Sequence, residues 1–258
     1  RVARILGFLT PEELGLQQQR EPDMNKSTQK VIDTLQNHMA EGVLIWHNPC
    51  IMATQANLVS GNEYQGINHL MTAVVSMSEG YKSPYWATFK QIGAAGGTLE
   101  NAKSSPEMQT DQNAEQVIND YLKRECIPVT VGNPAYVPSV DTIKLPARES
   151  FVSMDEMYST MLHEIGHSTG HKSRLARFTD AQTKLEQKED YSKEELVAEI
   201  FSALMCHGCG VDSESSIKNS AAYLQGWSRF IKDEAEAFVW AVNQAYKARA
   251  FVIAGEGA

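Results

Sequence analysis

Nowhere in its 258 residues does the chain run to ~18 uninterrupted apolar residues, the length a membrane helix needs. The apolar stretch at Arg1–Thr10 is short and is followed by Glu12, Glu13 and three glutamines, which reads as a helix or an arm and not as a signal peptide. Cysteine is scarce as well. Four thiols in a chain this long build no disulfide framework and fit a reducing, cytoplasmic setting. Cys206 and Cys209 form a lone C-x-x-C with only His207 beside it, too few ligands for a zinc knuckle, so they read as buried helical thiols. Net positive charge is missing too: the formal balance is -9, against a generally basic nucleic-acid binder. The acidity is uneven. Residues 1–105 hold eight Lys/Arg against nine Asp/Glu, whereas the remainder holds 15 against 23.

What is present is an ordinary globular balance, 42% hydrophobic and 21% charged, enough to bury a core. Val31, Ile32, Leu35 and Met39 recur at helical spacing and predict a helix over residues 25–42. Residues 67–78 predict a second. Residues 128–145 alternate and are broken by Pro134 and Pro138, predicting two or three short strands, with Ile143–Leu145 the best. From Ser153 the pattern is mostly helical. A polar stretch at about 100–115 sets a boundary near 106, giving domains 1–105 and 106–258 in an α+β chain.

The chemistry concentrates in His163-Glu164-Ile165-Gly166-His167, an H-E-x-x-H motif. On a helix the i,i+4 spacing puts both imidazoles on one face, where they can share one ion, with Glu164 beside the open coordination position. Ser153 and Glu156 predict a capping box, and Gly170 a helix end. Met154, Met157, Tyr158, Met161, Leu162 and Ile165 form the apolar face. Opposite lie the histidines with Ser159, Thr160 and Gly166, small residues that let another element approach closely. Catalytic zinc takes three protein ligands and one water. The third ligand is expected in Glu194–Phe201, where Glu195 and Glu199 share a face flanked by Ala198, Ser202 and Ala203. Ser192 and Glu195 also fit a capping box, which competes with a ligand role for Glu195. Manganese, cobalt or nickel would suit the same donors as zinc. With the ion bound, its water has a pKa of ~7, and Glu164 would accept that proton and pass it to the leaving amine. Tyr191, His171 and Arg174 are candidates to steady the developing negative charge. The strand Ile143–Leu145 could pair with an extended peptide as a sheet edge. Ser173 stands where a metzincin would need a ligand, which excludes that class.

The stretch 194–201 resembles thermolysin-type peptidases, in which a ligand glutamate is followed four residues later by a carboxylate that orients a ligand histidine. That resemblance implies Glu195 on the metal and Glu199 as the orienting group; the swap, Glu199 on the metal, stays open.

Upstream, Tyr81–Gln91 interleaves aromatics with lysines, a pattern suited to stacking on unpaired bases and following phosphates, though core aromatics would look the same. "IWHNPC" (45–50), "NLVSGNEYQGIN" (57–68) and "SPYWATFKQIGAAGG" (83–97) resemble the N-terminal single-stranded-DNA-binding domain of ArdC-type antirestriction proteins. "DTIKLPARESF" (141–151), "LHEIGHSTGHKSRLAR" (162–177) and "EELVAEIFSAL" (194–204) resemble the zincin-like domain that follows it in that family. The resemblance implies a plasmid- or phage-borne protein that binds single-stranded DNA and protects a mobile element entering by conjugation. It implies a DNA surface at Trp46, Asn57, Tyr64, Asn68, Trp86, Phe89, Lys90 and Gln91, and a zinc site at His163, Glu164, His167 and Glu195. Under a second reading the chain is an active zinc endopeptidase on a protein substrate, with the first half only docking it. In the family a basic segment and an extended strand follow Gly-Gly. Here Gly96-Gly97-Thr98-Leu99 runs directly into Glu100: either the segment is lacking, which leaves fewer phosphates neutralised, or residues are missing after Leu99.

Overall fold

A computed structural model describes residues 26–42, 53–81, 83–94, 113–178, 184–211 and 221–254. The expected boundary near 106 lies outside them. The described residues are mostly helical and include two small sheets.

Helix α1 (Lys26–Ala40) buries Val31, Ile32, Leu35 and Met39, as their spacing requires. Helix α2 (Gly66–Glu79) ends on Gly80, whose φ of 67° supplies the left-handed turn that lets Tyr81 N–H reach Ser76 O at 2.8 Å. Its start has no local cap. Asn243, far along the chain, accepts from Ile67 N–H at 3.2 Å. Gly66 makes this fit: its φ is +57°, and a Cβ there would lie 2.1 Å from Asn243 Oδ1. Two short parallel strands, β1 (Ala56–Asn57) and β2 (Tyr85–Trp86), and a short helix α3 (Phe89–Ala94) are the other elements among the described residues of this half.

Helix α4 (Ala114–Arg124), which follows the expected polar linker and was assigned no element from the sequence, opens with Asn113 accepting from Gln116 N–H at 3.1 Å. The three-stranded sheet follows: β3 (Val129–Val131), β4 (Ala135–Val137) and β5 (Thr142–Leu145), in the order β3-β5-β4. β5 is parallel to β3 and antiparallel to β4. Ile143–Leu145 is therefore the central strand, not an edge. Its inward residues Ile143 and Leu145 are buried by neighbours on both sides, which is why it gave the strongest strand signal.

The motif helix α5 spans Met154–Ser168. Ser153 Oγ accepts from Glu156 N–H at 3.1 Å, while the Glu156 carboxylate reaches Val152 N–H at 2.7 Å, one residue earlier than a standard capping box. Gly170 is not a left-handed stop; it lies where a Cβ would meet Phe178 Cζ at 2.9 Å and Arg177 Nη2 at 3.1 Å. Helix α6 (Lys184–Cys209) begins well before Ser192, so the competing capping role for Glu195 disappears. Helices α7 (Ala221–Asp233) and α8 (Ala235–Ala254) close the fold.

The most extensive helix interface joins α5 and α6, and the next joins α6 and α8; α1 packs on α7, and α2 on α8. One core cluster runs through both halves, from Leu35 and Val74 to Ile165, Phe201, Phe238 and Val242. His69 stitches the seam. Its Nε2–H donates to Ala53 O at 2.9 Å, and its Nδ1 accepts from the Tyr246 hydroxyl of α8. Burial drives the His69 pKa down to about 4.

Candidate metal centre

Three side chains from two helices converge. His163 and His167, one turn apart on α5, bring their Nε2 atoms to 3.2 Å. Glu195 on α6 sets its carboxylate 3.6 Å from His163 Nε2 and 3.4 Å from His167 Nε2. Among the described residues these three form the group of metal-ligating side chains whose donor atoms lie within 4.8 Å of one another. Two nitrogens bound to one tetrahedral ion at ~2.0–2.1 Å lie about 3.3 Å apart. The spacing and the two-imidazole, one-carboxylate donor set therefore fit a divalent metal.

The close approach of the two helices explains the convergence. A Cβ on Gly166 would lie 2.9 Å from Ala198 Cα and 2.9 Å from Phe201 Cδ1, so only glycine lets α6 come this near. Ser202 Oγ donates to Ser159 O at 3.1 Å across the same seam. The small residues around the histidines and glutamates thus face each other, as their placement predicted.

Glu164 is 6% exposed. Burial pushes its carboxyl above the usual range, partly offset by His163, His167 and the Tyr136 N–H of β4, which its carboxylate accepts. For His163, burial acts downward, but Glu195, Glu199 and Glu164 together outweigh it and the net direction is up. Glu199 thus acts electrostatically on His163.

One arginine and one glutamate, Arg177 and Glu194, escaped the sequence reading. Arg177 donates to Glu194 at 2.9 and 2.5 Å, and Glu194 Oε1 lies 3.8 Å from His167 Nδ1. Arg174 was considered as a donor to developing charge, but its guanidinium is spent on Asp141, the Tyr136 hydroxyl and Ser168 O. Only 1% of that side chain is exposed. His171 Nδ1 is engaged by Ser173 Oγ at 2.7 Å. The Tyr191 side chain lies outside the described residues. The signal for Arg174 and Arg177 was their spacing of three just after the motif helix, which places them on one side of the turn. The C-x-x-C is structural in character: burial pushes Cys206 up to about 12, and Cys209 is raised by the same cause.

In the N-terminal half the expected DNA residues divide. Asn57 and Gln91 exchange carboxamide hydrogen bonds at 3.1 and 3.2 Å, and Asn57 also donates to the Tyr64 hydroxyl at 3.3 Å. Asn57 Oδ1 accepts from Val59 and Ser60 N–H, fixing a tight turn whose Leu58 and Val59 are each 62% exposed. Trp86 donates its indole N–H to buried Gln55 at 2.6 Å. Asn68 and Lys90 are exposed. Tyr81 and Tyr85 are exposed at 56% and 44%. Trp46 and the Phe89 side chain lie outside the described residues.

A motif helix with paired imidazoles, a carboxylate from the next long helix and a flanking three-stranded sheet make a zincin-like domain. The zincin-like metallopeptidase family (MPTase-PolyVal) matches residues 113–244, and the N-terminal domain of anti-restriction factor ArdC matches residues 24–126. The chain belongs to the zincin-like metallopeptidases, as an ArdC-type protein with an N-terminal ArdC domain. The two matches overlap on α4. The fold is similar to that of the antirestriction ArdC protein from the R388 plasmid. Its metal-free structure is 24% identical, with a TM-score of 0.68 over 88% of this chain and 97% of that one. Its Mn(II)-bound structure is 25% identical, with a TM-score of 0.66 over 87% and 96%. Two Escherichia coli proteins named DNA primase TraC are 26% and 29% identical over 88% and 78% of this chain. The chain spans only 27% and 18% of their lengths. An uncharacterized protein y4eC of Sinorhizobium fredii is 23% identical over 84% of this chain and 87% of its own length. No helix among the described residues is long and apolar enough to cross a membrane.

Proposed function

We propose that this chain is a single-stranded-DNA-binding antirestriction protein that protects incoming mobile DNA in the cytoplasm and carries a zinc site at His163, His167 and Glu195. The observation that carries this reading is the succession of the ArdC N-terminal domain and the zincin-like domain along one chain. Similarity to a plasmid antirestriction protein over almost its whole length supports it. The DNA surface is proposed to draw on Trp86 and the exposed Tyr81, Tyr85, Asn68 and Lys90; Trp46 and Phe89 are proposed with them from the family resemblance alone. Asn57, Tyr64 and Gln91 would act by shaping the Leu58–Val59 turn, since their polar atoms serve one another. Fluorescence anisotropy with single- and double-stranded oligonucleotides tests this; equal or absent binding to both removes the DNA role.

The buried Glu164 favours a second activity on the same chain, zinc-dependent peptide hydrolysis. When bound, the ion would polarise the substrate carbonyl and lower the pKa of its water. Glu164, carrying a raised pKa at the site, would take the water's proton and return it to the leaving amine. A peptide would add along the outer edge of β4, the strand that packs on α5. The Mn(II)-bound form of the R388 protein supports a divalent ion, and the donors also suit manganese. Metal content by mass spectrometry on wild type and Glu195→Ala tests the ligand set: an unchanged load in the variant would move the third ligand to Glu199.

A further inference from the structure

The segment after the motif helix holds two buried arginines that reach opposite ways. Arg174 ties the end of α5 to the β4–β5 hairpin through Ser168 O, Asp141 and Tyr136. Arg177 ties the same helix end to α6. Its Nη1 donates to Thr169 Oγ1 at 2.8 Å and its Nη2 to Gly166 O at 2.9 Å, while Nε and Nη2 clamp the Glu194 carboxylate. Side-chain exposure is 2% for Arg177 and 10% for Glu194, so this fork is fixed and shielded from water.

The clamp leaves Glu194 Oε1 3.8 Å from His167 Nδ1, a charge contact longer than a hydrogen bond. The opposite ring nitrogen, Nε2, faces His163 and Glu195. A histidine that ligates through Nε2 must carry its proton on Nδ1, and a fixed negative charge beside Nδ1 favours that tautomer and ring orientation. Resting on the metal-site reading above, we propose that the Arg177–Glu194 pair is a positioning device for the centre, holding His167 ready to accept an ion through Nε2. The pair also fixes the carboxylate one residue before the ligand Glu195, so a single guanidinium registers both helices that build the site.

The test uses the full chain, stripped of metal. Zn(II) is titrated against a chromophoric chelator for wild type, Glu194→Gln and Arg177→Lys, and the visible spectrum is recorded with Co(II). Carbon-13 and nitrogen-15 shifts of the His167 ring are read in the metal-free protein. The expected result is a 10- to 100-fold weaker Zn(II) Kd for Glu194→Gln, the usual consequence of losing a group that orients a ligand. A smaller weakening is expected for Arg177→Lys, with a shifted Co(II) band and loss of the Nδ1–H tautomer preference in both. A structural brace alone would lower the melting temperature and leave Kd and tautomer unchanged, which overturns the proposal. Complete loss of metal in Glu194→Gln, as expected for Glu195→Ala, also overturns it by making Glu194 a ligand. If Glu194→Gln does not fold, Arg177→Lys decides, and a wild-type Kd with a wild-type tautomer overturns the pair's role. Wild type that takes up neither Zn(II) nor Co(II) overturns the metal-site reading itself, whereas equally tight wild type and variants overturn only this inference.

Discussion

The two halves of the chain treat their polar side chains in opposite ways. Around α5 and α6, groups from separate helices point at one shared position: His163, His167 and Glu195 meet there, with Glu164 beside them. In the N-terminal half, Asn57, Gln91 and Tyr64 point at one another, and exposed Tyr81, Tyr85, Leu58 and Val59 provide the outward surface. One half is arranged to gather an ion and the other to hold a loop in shape. On the reading proposed above, recognition would rest on a few charges in the first and on aromatic and apolar area in the second.

The contrast can be broken at several points. Glu164→Gln should have the largest effect: peptide hydrolysis by the wild type would fall about 100- to 10,000-fold, with metal content unchanged and single-strand binding intact. A variant that also loses DNA affinity would show that the halves are not separate in function.

The seam should respond to acid. His69 is held neutral, with a folded pKa of about 4 against 6.5 when unfolded. The unfolded chain binds the extra proton first, so stability is full above pH 6.5 and falls as the pH drops toward 4. The difference is roughly 3 kcal/mol. Denaturant midpoints between pH 7 and 4 should fall accordingly, and His69→Asn should flatten that dependence. An equally steep slope in the variant would assign the titration elsewhere.

Gly166→Ala should cost about 1–3 kcal/mol by forcing α5 and α6 apart, and it should weaken Zn(II) binding even though no ligand changes. Stability loss with unchanged affinity would show that the site tolerates a wider helix spacing. The smallest effect is expected from Tyr85→Ala, a loss of about 1–2 kcal/mol of single-strand affinity if the ring stacks on a base. An unchanged anisotropy curve would remove Tyr85 from the DNA surface.

The legible parts of this molecule were those governed by local periodicity. H-E-x-x-H fixes the relation of two imidazoles within one helix, and Ser159, Gly166, Ala198 and Ser202 advertised a close helix contact because small residues flanked polar ones on both faces. Val31, Ile32, Leu35 and Met39 announced α1 in the same way. Contacts joining distant positions were not legible. Asn243 capping α2, Tyr246 on His69 and Arg177 on Glu194 depend on how the chain closes on itself. Strand order failed for the same reason, since alternation makes Ile143–Leu145 a strand without saying who its neighbours are. Helix α4 was left unassigned between the polar segment and the strands, because its apolar residues Ile118 and Tyr121 find their partners only in the folded core.

The last helix has a practical consequence. α8 packs against both α6 and α2, so it serves as a party wall between the two family modules. A fragment ending at residue 126 would keep Leu70, Ala73 and Val74 but lose the surface they rest on. A fragment starting at 113 would leave Ala245 and Tyr246 without their tenants. Either piece, expressed alone, should present a raw greasy strip and clump more readily than the uncut chain.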